Sequence, residues 1–173
     1  MTPEFSHPVR IDMIGEGART ETIAADETQR AALARRFNLI GIKRLEGSFT
    51  VQRVAGGIAV SGKVQAEATQ RCSITDEPLP ARIAETVDLR FVEDSAAGEE
   101  VELDNDGIDV LPLEGGAIDL GEVAAETLAL ALDPFPRGPN AEAALRKAGI
   151  LSEDEAGPFG ALAGLKDKLA GKK

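Results

Sequence analysis

The sequence predicts an α+β fold: an antiparallel β-sheet, open or curling toward a barrel, covered by two amphipathic helices, with a loosely attached C-terminal tail. Three observations carry this reading. Ile58, Val60, Gly62, Val64, Ala66 and Ala68 alternate with Ala59, Ser61, Lys63, Gln65, Glu67 and Thr69, the period of two that a strand with one buried face requires. Two other stretches, 27–37 and 119–132, place apolar residues at helical spacing behind a capping residue. Beyond Gly138 the composition turns to Ala, Gly and Lys, which divides the 173 residues into one α+β domain, 1–138, and a tail, 139–173, partly helical or flexible. A chain of this length buries about 70% of the surface its unfolded form exposes, enough for a core without a disulfide or metal staple.

Taken in order, residues 8–24 read as extended, with Val9, Ile11 and Met13 alternating against Arg10, Asp12 and Ile14 ahead of a Gly15-Glu16-Gly17 turn, and predict an edge or hairpin pairing. Asp26 precedes Glu27, Thr28 and Gln29, the pattern of an N-cap whose third helical residue reaches back, so a helix over 27–37 follows. It buries Leu33, Ala34 and Phe37 and turns Arg30, Arg35 and Arg36 toward water. Residues 48–54 partner the central strand through Ala55-Gly56-Gly57, where glycine takes positive φ at little cost. A third strand over 82–92 puts Ile83, Val87, Leu89 and Phe91 on one side, interrupted by Glu85.

From Glu93 to Asp106 the chain carries seven acidic residues and no basic one. The spacing and closing Glu of a calcium loop are missing, so a solvated connection is the better reading. Residues 108–112 form a short strand and Glu114-Gly115-Gly116 a turn. Asp119, with Glu122 three residues on, predicts a capping box for the helix 119–132, whose apolar stripe covers Ile58, Val60 and Val64. Pro134 and Pro136 stop it, and a weaker amphipathic segment spans 159–169.

The chain holds no run of eighteen apolar residues and no charged start leading into an apolar stretch, so a cytoplasmic protein with no membrane partner is expected. Aromatics are 3% of residues, all of them Phe, which argues against stacking platforms for single-stranded nucleic acid, and the net charge of −11 repels phosphate unless a local patch overrides it. One stretch does depart from that field. Between Thr28 and Cys72 stand Arg30, Arg35, Arg36, Lys43, Arg44, Arg53, Lys63 and Arg71 against only Glu46 and Glu67, a local balance of +6 that leaves −17 elsewhere. These eight are the candidate RNA-binding residues. A solvated helix face accounts for three of them equally well, and the acidic remainder could meet a basic protein.

The lone cysteine lies in Thr69-Gln70-Arg71-Cys72-Ser73-Ile74-Thr75-Asp76-Glu77-Pro78, a loop leaving the central strand. This stretch resembles the central motif of the YceD family, bacterial and plastid proteins linked to accumulation of the large-subunit ribosomal RNA, with Arg71, Cys72 and Pro78 as its motif residues. Glu4-Phe5-Ser6-His7-Pro8-Val9-Arg10, the helix Arg30 to Phe37, the segment Ile118 to Leu128, Asp133-Pro134-Phe135-Pro136-Arg137 and Gly157 to Leu162 are similar to the family's alphaproteobacterial branch. Many members read Cys-x-Arg-Cys-Leu, and this chain has Thr69 where they have the first cysteine. A Cys-x-x-Cys pair supplies half of a tetrahedral zinc site, whereas Cys72 and the only histidine, His7, do not. No metal and no cofactor are therefore expected, and Cys72 reads as a small buried hydrophobe.

The glycine-rich stretches lack a phosphate-loop ending, no serine sits in a nucleophile elbow, and a second histidine for acid-base work is missing, so no enzyme and no small-molecule substrate are expected. The resemblance implies a factor in large-subunit ribosome biogenesis that acts on the processing or stability of precursor RNA. Its partner would be that RNA or an assembly intermediate, or, in the alternative reading, a basic ribosomal protein of the large subunit held by an acidic adaptor.

Overall fold

The computed structural model describes residues 3–92, 108–113 and 115–150. The chain divides into two units, residues 1–70 with 78–134, and residues 71–77 with 135–173. The first contains β1 (Pro8–Arg10), a 3-10 turn (Ile11–Met13), β2 (Arg19–Ala24), α1 (Glu27–Arg36), β3 (Gly41–Val54), nearly all of β4 (Gly57–Arg71), β5 (Pro78–Val92), β6 (Asp109–Pro112), β7 (Ala117–Asp119) and α2 (Leu120–Ala131). The second contains α3 (Ala141–Lys147).

The first unit is α+β, with a five-stranded sheet in the order β2-β3-β4-β5-β6 and a two-stranded one of β1 and β7. The five-stranded order runs from one edge to the other without closing, so the sheet is open and does not become a barrel. β3 and β4 form the expected hairpin, but β3 begins at Gly41 rather than at residue 48, so the antiparallel pairing runs from Gly41↔Thr69 to Val54↔Gly57 around a turn in which Gly56 has φ +79°. A bulge at Ile42/Arg44 resets the phase of β3, so Ile42 is buried, Lys43 and Arg44 are both exposed, and Leu45, Phe49 and Val51 face the core. Gly62, opposite Phe49, has no room for a Cβ, which would strike the Ser48 carbonyl.

Two departures from the expected topology have physical causes. β6 runs parallel to β5, from Leu89↔Asp109 to Val92↔Pro112, so the sheet is mixed rather than antiparallel. A parallel partner needs a long return connection, and sixteen residues separate Val92 from Asp109; the acidic stretch 93–106 lies within them, outside the described residues. The extended stretch 8–24 is likewise two strands with different partners. β2 edges the large sheet, while β1 pairs with β7, a three-residue strand whose last position, Asp119, is also the cap of α2.

α1 begins as predicted, with Asp26 accepting from the Gln29 amide at 2.8 Å and the Gln29 side chain accepting from the Asp26 amide at 2.9 Å. It ends in a Schellman motif: Asn38 adopts φ +54°, its amide reaches the Arg35 carbonyl at 3.3 Å and the Leu39 amide reaches Ala34 at 2.8 Å. α1 packs on β3, and α2 packs on β3 and β5. Leu33, Leu45, Phe49, Ile58, Leu120 and Leu128 are fully buried between these layers. The stripe Leu120, Ala124 and Leu128 is therefore core.

In the second unit the described residues are 71–77 and 135–150. Residues 71–77 form a tight loop in which the Cys72 amide donates to the Glu77 carbonyl at 2.8 Å and the Asp76 amide to Cys72 at 3.0 Å, with Asp76 at φ +58°. The Ser73 amide and hydroxyl both donate to the Pro136 carbonyl, at 2.8 and 3.1 Å. α3 closes with Gly149 at φ +77°. The amphipathic segment 159–169 lies outside the described residues.

Candidate functional site

The eight basic residues of the 28–72 stretch do not gather on one face. Arg30, Arg35 and Arg36 ride on α1, which packs against the buried side of β3, whereas Arg44 and Lys63 alternate with buried Leu45 and Val64 and so project from the opposite side of the sheet. Five of the eight are engaged within the molecule. Arg30 donates to the Ala25 carbonyl at 2.5 Å. Arg36 bridges Glu4 at 3.1 Å and Glu122 at 2.5 Å, and its guanidinium lies 5.2 Å from the Phe37 ring centre. Lys43 pairs with Glu67 at 3.0 Å and Arg44 with Glu46 at 2.6 Å. Arg53 donates to the Ile14 and Ile11 carbonyls at 3.1 and 2.7 Å, holding the turn between β1 and β2. Only Arg35, Lys63 and Arg71 have no side-chain partner among the described residues.

Arg36 is the most committed of them. The hydrogen bonds it donates to Glu122 and then the charge of that carboxylate, with Glu4 behind, push the Arg36 pKa up, so it stays charged at any accessible pH. Glu122 thus gives its carboxylate to Arg36 and not to the reciprocal half of a capping box. Asp119 does make its half, accepting from the Gly121 and Glu122 amides at 2.9 and 3.3 Å. It also accepts from the His7 amide at 2.7 Å and the Ser6 hydroxyl at 2.5 Å. Glu4, Phe5, Ser6 and His7 therefore lock onto α1 and α2: Phe5 is buried, and its carbonyl lies against Gly121, where a Cβ would clash. The His7 ring lies 3.7 Å from Glu21 of β2.

Cys72 is 1% exposed. The Thr75 hydroxyl, then the Gly138 amide at 3.3 Å, hold its thiol down to about 7. That hydroxyl carries one proton, and Glu77 competes for it at 2.9 Å. The loop is further tied by Asn140, whose side-chain amide donates to Glu77 at 2.9 Å, and Gln70 donates to the Asp133 carbonyl at 2.8 Å. The motif around Arg71 and Cys72 is thus knit to residues 136–140, while Pro78 begins β5. Among the described residues no three His, Cys, Asp or Glu side chains stand close enough together to hold a metal, and no helix is long and apolar enough to cross a membrane.

A feature the sequence reading did not single out as a site is a cleft of about 570 Å³ between α2 and the strands β5 and β6. Val87, Leu89, Leu111 and Val123 give it apolar walls; Glu85, Asp88, Asp109 and Glu126 surround them, and no basic residue lines it among the described residues. Two oddities in the sequence were its signal. Glu85 shares the core-facing parity of Ile83 and Val87 yet is exposed, and Leu130 continues the Val123, Thr127 spacing of α2 yet is 87% exposed.

Residues 60–166 match the family described as large ribosomal RNA subunit accumulation protein YceD. The chain belongs to the YceD family. No curated protein and no solved structure matches it. The family match carries involvement in the accumulation of large-subunit ribosomal RNA. It spans most of β4 to α3, and so includes the Cys72 loop and every residue lining the cleft, whereas of the eight basic residues only Lys63 and Arg71 fall inside it.

Proposed function

We propose that this YceD protein supports large-subunit ribosomal RNA as a non-enzymatic, cytoplasmic assembly factor, and that it does so by holding a basic ribosomal protein rather than by gripping the RNA backbone. The observation that carries the reading is the occupation of Arg30, Arg36, Lys43, Arg44 and Arg53 by partners within the protein. A phosphate would have to share Arg36, Lys43 or Arg44 with the carboxylate already paired to it, and the rest of an acidic chain would oppose it. The acidic surplus, by contrast, is what steers a basic protein toward its partner.

A second reading keeps direct RNA contact, and what favours it is that Arg35, Lys63 and Arg71 are unengaged among the described residues. Crosslinking of the tagged protein in cells, with RNA and proteins both identified, separates the two. Zero-length crosslinks to a large-subunit protein are expected. Crosslinks to precursor RNA alone would overturn the adaptor reading.

A further inference from the structure

The cleft between α2 and β5–β6 combines features that a folded domain does not need for its own stability. Its helix wall runs from core Val123 through half-buried Thr127 to exposed Leu130, offset from the core stripe Leu120, Ala124 and Leu128. Its strand wall is the core-facing row of β5, in which Glu85 stands exposed between buried Ile83 and Val87. Leu130, at 87% exposed, presents its side chain to solvent at the margin, whereas Val110 sits beside Arg90 on the other face of the sheet. An isolated exposed leucine is ordinary, but one at the mouth of an apolar-walled cleft ringed by carboxylates is part of a patterned surface.

The chemistry restricts the occupant. Carboxylates surround the cleft and, among the described residues, no basic side chain lines it, so it repels nucleic acid and anionic metabolites and attracts Lys and Arg. A leucine left mostly in water is also unlike the wall of a small-molecule pocket, which encloses most of its ligand. It resembles one side of a groove that a partner's apolar face completes.

We propose that this cleft is the docking site for a basic segment of another protein, one that lays an apolar stripe against Leu89, Leu111, Leu130 and Ala131 and sets Lys or Arg beside Glu85, Asp109 and Glu126. The proposal rests on the adaptor reading and gives it a place. The lysines and arginines of such a segment cover apolar surface with their stems while their heads reach the rim, so apolar and ionic contacts reinforce each other.

The test uses the full chain and fluorescence anisotropy with three labelled probes: a short amphipathic leucine/lysine helix, a lysine-only peptide of equal charge, and poly(U) RNA. The amphipathic peptide is expected to bind most tightly. Leu130→Ser, which leaves the charge unchanged at an exposed position, should weaken it by about tenfold, as should Glu85→Lys with Glu126→Lys. Glu16→Lys with Glu27→Lys, the same charge change outside the cleft, should leave it within about twofold, while thermal melts check that each variant is folded. Equal losses from the two charge pairs would reduce the effect to the net charge of the chain and overturn the proposal, as would indifference to Leu130→Ser or preference for poly(U). Tighter peptide binding after Lys166→Glu with Lys168→Glu would also overturn it, by identifying this chain's own C-terminal segment as the occupant. If the cleft variants bind normally while cells still yield crosslinks to a large-subunit protein, the adaptor reading stands and only its placement fails.

Discussion

Asp119 does more than any other single side chain to organise the first unit. Its carboxylate serves the first turn of α2 and also the amino-terminal residues Ser6 and His7. Asp119→Ala leaves several amides without an acceptor and should cost about 2 to 3 kcal/mol, a cap's contribution plus a partly buried orphan, read as a fall in the denaturant midpoint. Asp119→Asn keeps a capping oxygen and should lose less. At Cys72 two effects oppose each other. The lowered pKa of about 7 enlarges the thiolate fraction at neutral pH, but burial blocks approach to the sulfur. Iodoacetamide should therefore react more slowly with the native protein at pH 8 than with the protein in urea. Because the folded value lies below the unfolded one of about 8.5, the thiolate's contribution to stability is complete above the unfolded value and is lost as pH falls through about 7. Cys72→Ala should flatten the rise in stability that the native protein shows across that window.

Elements differ in how far the sequence discloses them. The capping box of α1 and the hairpin of β3 and β4 are local patterns, since every residue needed to recognise them lies within a few positions or along one alternating run. β7 is three residues long and ends in a helix cap, so no periodicity can mark it. The parallel pairing of β6 depends on where a long connection returns, and period-two patterning is the same for either direction. Arg36 was read as a solvated helix residue because Glu122, which holds it, lies 86 positions away. The cleft was half legible: Glu85 interrupts an apolar strand face, and it stands exposed in the cleft wall. Within α2 the two stripes separate cleanly by mutation. Leu128→Ala should cost about 2 to 5 kcal/mol because Leu128 is fully buried, whereas Leu130→Ser should shift stability by less than about 0.5 kcal/mol. Equal losses in melting temperature would place Leu130 in the core.

Across the whole molecule, the stretches that carry the family resemblance meet as interlocking partners: Glu4 to His7 with Arg36, Asp119, Gly121 and Glu122, and the Cys72 loop with Pro136 and Gly138. Much of their chemistry is consumed in making the fold, so the surface that bears on large-subunit ribosomal RNA has to be sought among the side chains these contacts leave unused. Two surfaces compete, the unengaged cations Arg35, Lys63 and Arg71, and the acid-rimmed cleft. Arg36 is a poor probe of RNA contact because its removal breaks its pairs with Glu4 and Glu122, whereas the three unengaged cations can be reversed to Glu without breaking a described pair. In cells lacking the protein, that triple reversal should restore large-subunit ribosomal RNA to wild-type level, while Leu130→Ser combined with Glu126→Lys should fail to restore it although the variant accumulates and melts normally. The opposite pattern would assign the activity to the cations: each lost phosphate contact lowers the salt dependence of RNA binding by about one unit, a signature measurable on the purified protein.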